Sequence, residues 1–155
     1  MNPLLTRVSA FIATLGPVGK LPMPGTCGTL CAIPILYEIR QLAGILPGFS
    51  EQIIILALSL LSFWIIGNAL YILQGKDPQE IILDEVIGFA IAMFGMPFNP
   101  LVIVIAFCYF RIFDILKPLG IDSLESMPGA MGIMADDIAA GALAHLATSL
   151  TLYLF

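Results

Sequence analysis

The sequence predicts an all-α fold, a compact multi-helix membrane protein, and three observations lead to that prediction. The chain of 155 residues is 59% apolar and has a mean hydropathy of +1.02. Only 6 basic and 11 acidic side chains are present, 11% of the residues, against roughly 25% in a typical soluble domain. Several uncharged runs are also long enough to cross a bilayer. The length fits a single domain over residues 1–155.

The first apolar helix is expected near residues 26–40. Pro22, Pro24 and Gly25 indicate a loop before it. Pro34 removes one backbone donor inside the helix, so a kink is expected there.

Two further apolar helices are expected near residues 52–75 and 133–155. The first of these has no charged side chain over 24 residues, which is enough for one membrane span of about 20 residues. Residues 138–155 form another uncharged run, of 18 residues. We interpret both as membrane-spanning helices.

A helical hairpin is expected over residues 78–117. The run from 86 to 110 is uncharged for 25 residues, but Gly95 and Pro97 interrupt it near its middle. Two shorter helices joined by a turn therefore explain it better than one long helix.

Start and stop signals flank both arms of this hairpin. Asp77 is a candidate N-cap, Pro78 suits the first helical position and Glu80 the third, which together are close to a capping box. The second arm is expected to begin with Asn99 as its cap and to end by Pro118.

The charge balance and the cysteine count exclude several classes of function. A net charge of −5 and a pI near 4.5 exclude a basic nucleic-acid-binding surface, so no nucleic-acid partner is expected. Three cysteines are too few for a disulfide framework and are not spaced for a zinc site. A phosphorylated substrate would need positive charge that the sequence does not encode.

The acidic residues are concentrated rather than scattered. Nine of the eleven lie between residues 77 and 137. Asp84 and Arg111 are the same number of residues from the hairpin turn, one on each arm, and Glu80 and Asp114 are nearly so. Antiparallel packing of the arms then predicts a mixed cluster of carboxylates and a guanidinium at one end of the molecule.

Other segments supply further polar groups and close-packing surfaces. Asp136 and Asp137 begin the last apolar helix, and the small residues 139–144 that follow them suit close helix packing in a membrane. Gly88 lies on the same helix face as Asp84, and because it has no side chain a partner helix can approach closely there. Residues 19–29 place small residues and two hydroxyls just before a helix, which predicts an anion site.

Three other interpretations compete with a catalytic one. Charges at the ends of apolar helices are commonly solvated boundaries. Carboxylates in membrane helices also line ion paths, so a small ion or proton channel or a transporter is the main alternative. A non-catalytic membrane subunit that assembles through its small-residue helix is another. His145, the single histidine, is interpreted as a packing or hydrogen-bonding residue.

The chain resembles the phosphatidylglycerophosphatase A family. Four segments carry the resemblance: GKLPMPGTCGTL at 19–30, KDPQEIILDEVIGFAIA at 76–92, FRIFDILKPLGI at 110–121 and PGAMGIMADDIAAG at 128–141. The chain departs from the family pattern at Pro118-Leu119-Gly120, where the family has Pro-Trp-Pro, and at Gly129-Ala130, where it has two glycines.

The resemblance implies a single helical domain that removes the terminal phosphate of phosphatidylglycerophosphate with the help of Mg²⁺. The expected partners are an anionic phospholipid substrate and membrane lipid, and the oligomeric state is left open. Carboxylates are ligands that suit Mg²⁺, and the ion would supply the missing positive charge.

With that resemblance, the residues can be given hypothetical roles. The catalytic group comprises Asp84, Glu85, Arg111, Asp114, Asp136 and Asp137. Of these, the expected metal ligands are Asp84, Asp114, Asp136 and Asp137, and Glu85 and Glu80 are further candidates for a ligand or a base. The expected phosphate-binding residues are Lys20, Thr26, Arg111 and Lys117.

The distribution of basic residues predicts an orientation in the bacterial inner membrane. If the chain crosses the membrane several times, Lys20, Lys76, Arg111 and Lys117 fall on one side and Arg40 on the other. Because cytoplasmic loops are enriched in lysine and arginine, the active site is expected on the cytoplasmic side.

Overall fold

The computed structural model describes residues 2–45, 50–73 and 78–154, and every regular element within them is helical. The predicted all-α class is therefore confirmed. The six α-helices are α1 (Pro3–Ala13), α2 (Pro24–Ile45), α3 (Glu51–Ala69), α4 (Leu83–Ala92), α5 (Pro100–Leu116) and α6 (Ala130–Leu154). Two 3₁₀ segments, Val18–Lys20 and Pro118–Ser126, precede α2 and α6.

Most predicted helices are present, with shifted ends. The helix expected near 26–40 is α2, which begins two residues earlier and continues through Pro34. The helix expected near 52–75 is α3, which ends at Ala69. The helix expected near 133–155 is α6, which starts three residues earlier. The short helix α1 was not predicted; Asn2 caps it by accepting a hydrogen bond from the Leu4 amide at 3.0 Å.

The predicted start of α4 was wrong. This helix begins at Leu83, not at Pro78, and Glu80 lies in an exposed turn before it. The proposed cap, Asp77, lies outside the described residues. The physical reason is a tertiary contact: the Ile82 amide donates to the Ala13 carbonyl at 3.0 Å, and Ile82 itself is fully buried. The contact with Ala13 of α1 holds this segment as a turn, closed by a hydrogen bond from the Ile81 amide to the Pro78 carbonyl at 2.9 Å, instead of as a first helical turn.

The second arm of the hairpin agrees with its signals. The Asn99 side chain accepts a hydrogen bond from the Val102 amide at 3.0 Å, and Pro100 is the first helical residue. The helix ends at Leu116, and Lys117 follows it with a left-handed backbone (φ 44°) just before Pro118.

Helix α4 lies at the centre of the molecule. Phe89 in this helix and Met93, its C-cap residue, are fully buried, and Phe89 packs against Phe110 of α5 with ring centroids 6.1 Å apart. The predicted close partner of α4 was α5, but α4 packs most extensively against α6. Two glycines, Gly88 and Gly141, bring the two backbones into direct contact there.

Among the described residues, two helices, α3 and α6, are long and apolar enough to span a membrane. Large apolar side chains on α3 face outward, with Leu56, Leu60 and Trp64 each at least half exposed. An apolar exterior on a long uncharged helix is typical of contact with lipid. The architecture is that of a compact helical membrane protein.

Candidate active site

Four helix ends enclose a polar cavity of about 340 Å³. It is lined by the first turn of α2, the first turn of α4, the last turn of α5 and the early part of α6. The sequence brings these ends together because α2, α4 and α6 begin at this end of the molecule, whereas α5 ends there. The polar residues in its wall are Thr26, Gln79, Asp84, Glu85, Arg111, Asp114, Lys117, Asp136 and Asp137.

Three carboxylates form the tightest group in the cavity, and we call them the carboxylate cluster: Asp84, Glu85 and Asp137. One oxygen from each lies within 4.8 Å of the others. Asp84 and Asp137 are buried, and Glu85 is partly so. One oxygen of each residue (Asp84 Oδ1, Glu85 Oε2 and Asp137 Oδ1) is buried without a hydrogen-bond partner among the described residues.

The electrostatics of this cluster favour a bound cation. Burial, and then the neighbouring charges of Glu85 and Asp137, raise the pKa of Asp84 well above its usual value of 3.8. Burial likewise raises the pKa of Glu85. Ionised carboxylates this close, with oxygens that bind nothing in the described chain, are costly unless a positive charge compensates them. Hard oxygen donors of this kind fit a divalent ion such as Mg²⁺.

Arg111 lies beside the carboxylate cluster and is held by Asp114. Its Nη1 donates to Asp114 Oδ2 at 2.5 Å, one helical turn along α5. A methyl group built on Gly25 would meet the Glu85 carboxylate and lie 3.1 Å from Arg111 Nη1. The bare backbone at the start of α2 therefore lets the guanidinium and the carboxylate approach that helix end.

Lys117 forms the second cationic position. Its Nζ donates to Asp136 Oδ2 at 2.7 Å and also to the Glu125 carboxylate. Burial alone would lower the pKa of Lys117, but the hydrogen bonds to Asp136 and Glu125 outweigh it and raise the pKa above its usual value of 10.5. Lys117 therefore stays charged at neutral pH.

The structure brings together most of the predicted site residues. Asp84, Glu85, Arg111, Asp114, Lys117, Asp136, Asp137 and Thr26 all line the cavity. Lys20 is exposed at the end of the first 3₁₀ segment and does not line it. Glu80 is exposed as well, in the turn before α4, and does not line the cavity.

The grouping of the carboxylates differs from the hypothesis drawn from the sequence. Asp114 and Asp136, expected among the metal ligands, each hold a cationic side chain. Glu85, a further candidate for a ligand or a base, belongs to the carboxylate cluster. Glu125 was not assigned any role; its signal in the sequence is weak, because only the fold of residues 118–126 returns it to Lys117.

Comparisons with known proteins identify the family of this chain. A family model for phosphatidylglycerophosphatase A matches residues 11–152. A protein of Bacteroides thetaiotaomicron, which carries the provisional name phosphatidylinositol-3-phosphatase, is 34% identical over 124 residues, 76% of each chain. Phosphatidylglycerophosphatase A of Escherichia coli is 32% identical over 144 residues, 92% of this chain and 79% of that one.

Phosphatidylglycerophosphatase A of Haemophilus influenzae is also similar, 32% identical over 122 residues, 77% of this chain and 72% of that protein. No solved structure matches the chain. The family model covers nearly the whole sequence, including every residue of the cavity. The chain therefore belongs to the phosphatidylglycerophosphatase A family.

Proposed function

We propose that this chain is a membrane phosphatase that hydrolyses the terminal phosphomonoester of phosphatidylglycerophosphate, with Mg²⁺ held by the carboxylate cluster. The observation that carries the proposal is the carboxylate cluster itself, placed in one cavity with two cationic side chains. The family and its relatives support the phosphatase activity. The comparisons give no support to the channel alternative.

The residues of the cluster fit a divalent ion. Each of the three carboxylates has a buried oxygen that binds nothing in the described chain, and Mg²⁺ prefers oxygen ligands. When bound, Mg²⁺ would neutralise charge on the phosphoryl group and make a water molecule more acidic.

Arg111 and Lys117 bind the phosphate in this proposal. Arg111 Nε is buried without a partner in the part of the chain that the structure describes, so it has a donor available for a phosphate oxygen. Thr26 adds a hydroxyl at the start of α2. Phosphoryl transfer depends mainly on positioning and on neutralising charge, and this arrangement supplies both.

Asp136 is the best placed base for water. Lys117 holds its Oδ2, while its Oδ1 is buried and has no partner among the described residues. Oδ1 can therefore accept a proton as the water oxygen bonds to phosphorus. The ester bond between phosphorus and the glycerol oxygen breaks, and that oxygen takes up a proton from solvent water as it leaves, while Asp136 later returns its proton to solvent.

The test of function is a panel of lipid phosphates in mixed micelles, with phosphate release measured while Mg²⁺ is titrated. We expect the highest kcat/KM with phosphatidylglycerophosphate and strict dependence on Mg²⁺. Phosphatidylinositol-3-phosphate belongs in the panel because of the name of the Bacteroides relative. A higher kcat/KM with phosphatidylinositol-3-phosphate would make that lipid the assigned substrate. If neither lipid releases phosphate, the proposed phosphatase activity is rejected.

We also propose that the cavity faces the cytoplasm from a multi-pass arrangement in the inner membrane. Arg111 and Lys117 lie at the cavity end, whereas Arg40 lies near the other end of α2, and positive residues favour the cytoplasmic side. Lys76, part of the sequence argument, lies outside the described residues. Reporter fusions after Arg40 and after Lys117 should report opposite sides; the same side for both would overturn this orientation.

A further inference from the structure

We infer that Gly88 and Gly141 are positioning residues, which set the spacing of the carboxylate cluster by allowing α4 and α6 to touch. The inference rests on the proposed function, in which that cluster holds a divalent cation. Neither glycine lines the cavity, and neither offers a side chain to substrate or metal.

The two helix backbones meet directly at these glycines. A methyl group built on Gly141 would collide with the Gly88 carbonyl oxygen and would lie 3.2 Å from the Gly88 Cα. A methyl group built on Gly88 would lie 2.7 Å from the Asp137 carbonyl oxygen and 2.7 Å from the Phe110 ring. The colliding atoms around Gly141 are all backbone, so no side chain can rotate away to make room.

This crossing lies one helical turn from the carboxylates on both helices. Gly88 follows Asp84 by four residues, and Gly141 follows Asp137 by four residues. At 1.5 Å per residue, the crossing is about 6 Å along each helix from the cluster. A change in helix separation at the glycines is therefore passed to the facing carboxylates of Asp84 and Asp137.

The size of that change is large for a metal site. A carbon and a carbonyl oxygen normally approach no closer than about 3.3 Å, so a methyl group at position 141 forces the helices apart by on the order of 1 Å. Mg²⁺ requires near-ideal octahedral geometry with oxygens at about 2.1 Å. Separating α4 and α6 by about 1 Å would therefore move one carboxylate of the cluster beyond bonding distance of the ion, although all three carboxylates are still present.

The test measures Mn²⁺ binding, as a paramagnetic substitute for Mg²⁺, to the full chain in detergent by electron paramagnetic resonance. We expect Gly141→Ala to bind Mn²⁺ about 10-fold to 100-fold more weakly than wild type, the range found when supporting groups around a metal are lost. The matched control is Gly67→Ala in α3, where a methyl group would meet nothing within 4 Å. That control should keep wild-type Mn²⁺ affinity and unfold at an equal or slightly higher temperature, since alanine favours helix.

A second variant separates positioning from general loss of packing. Glutamate is longer than aspartate by one carbon–carbon bond, about 1.5 Å. Adding Asp137→Glu to Gly141→Ala should restore part of the lost Mn²⁺ affinity, whereas Asp137→Glu alone should weaken binding. Restoration is not expected if Gly141→Ala merely loosens the fold.

The outcomes distinguish the inference from the function on which it rests. Wild-type Mn²⁺ affinity in Gly141→Ala would reject the positioning role, and so would a loss of affinity that Asp137→Glu does not restore. Absence of Mn²⁺ and Mg²⁺ binding to the wild-type chain would instead reject the proposed metal centre. Weak binding in Gly141→Ala, restored by the second substitution, would establish the role.

Discussion

The two ends of α4 carry charge in opposite ways. At its C-terminal end, all three nitrogens of the Arg40 guanidinium donate hydrogen bonds: Nη1 and Nη2 to the Met96 and Met93 carbonyls, each at 2.7 Å, and Nε to Glu51 at 3.0 Å. The same group lies 5.0 Å from the centre of the Phe98 ring. At its N-terminal end, Asp84 and Glu85 have buried oxygens that bind nothing in the described residues.

The difference teaches how to separate a structural charge from a functional one. Arg40 satisfies carbonyl groups that follow the end of α4 and ties them to α2 and α3, so its charge stabilises the fold. The carboxylate cluster repels itself and has too few partners in the protein, so it lowers stability in return for affinity toward a cation. The partly exposed Arg40 guanidinium has a partner for each nitrogen, whereas the buried Asp84 and Asp137 each have an oxygen without a partner among the described residues.

The largest effect is expected from removing one charge of the cluster. Asp84→Asn and Asp137→Asn should each lower phosphate release at saturating Mg²⁺ by at least about 100-fold, the scale for losing one group that stabilises developing charge. Because repulsion is relieved, the metal-free variants should unfold at the same or a higher temperature than wild type.

Asp122→Asn is the matched control for these variants, because Asp122 is exposed and outside the cavity. It should leave both turnover and unfolding temperature unchanged. Wild-type turnover in Asp84→Asn would contradict the conclusion that the charges at the N-terminal end of α4 serve catalysis.

Removing the charge at the other end should have the reverse pattern. Arg40→Met should lower the free energy of unfolding by about 2 to 4 kcal/mol, since two carbonyls and the Glu51 carboxylate lose a charged donor. Turnover per folded molecule should stay near wild type. Unfolding in denaturing detergent and phosphate release on the same samples measure the two quantities.

Arg7→Met, at an exposed arginine of α1, supplies the control for Arg40→Met. It should change neither quantity. A variant at Arg40 that keeps wild-type stability but loses turnover would show that this end of α4 also serves catalysis.

A smaller effect is expected from pH in the metal-free chain. The folded pKa of Asp84 is raised, so between its ordinary value of 3.8 and the raised value the unfolded chain holds fewer protons than the folded chain. Stability should therefore fall as the pH rises through that window. Adding Mg²⁺ at neutral pH should restore on the order of 5 °C in unfolding temperature, measured by a thermal scan with and without the ion.

The Asp84→Asn variant should respond less to both pH and Mg²⁺ in that scan. Equal Mg²⁺ shifts in wild type and variant would place the ion away from the carboxylate cluster.

Local signals in the sequence predicted the helices well where neighbouring residues alone decide the outcome. Asn99 and Pro100 begin α5 as expected, and Pro118 ends it. The start of α4 could not be predicted in this way, because the Ile82 amide bonds to Ala13. That contact joins residues 69 positions apart and overrides a favourable local start at Pro78.

The membership of the site was predictable, but its internal pairing was not. Clustered acids and the family resemblance identified Asp84, Arg111 and Asp137. The number of residues that separate a side chain from the hairpin turn does not determine which carboxylate faces which cation. That pairing also depends on the rotation of each helix about its axis and on where α6 packs. Helix α6 contacts α4 at Gly88 and Gly141 and brings Asp137 to Asp84 and Glu85.

The docking of α1 onto the turn before α4 has a practical consequence. Two residues near the N-terminus hold residues 78–82 in place. The Ala13 carbonyl accepts a hydrogen bond from the Ile82 amide, and Gly19 packs against the Glu80 carbonyl. The N-terminal residues thus stabilise the turn beside the cavity, and none of the described residues 2–20 lines the cavity itself. A deletion that removes Ala13 and Gly19 should therefore disturb the turn before α4, whereas an addition beyond Leu154 would lie about 27 Å along α6 from Asp136 and should leave catalysis unchanged.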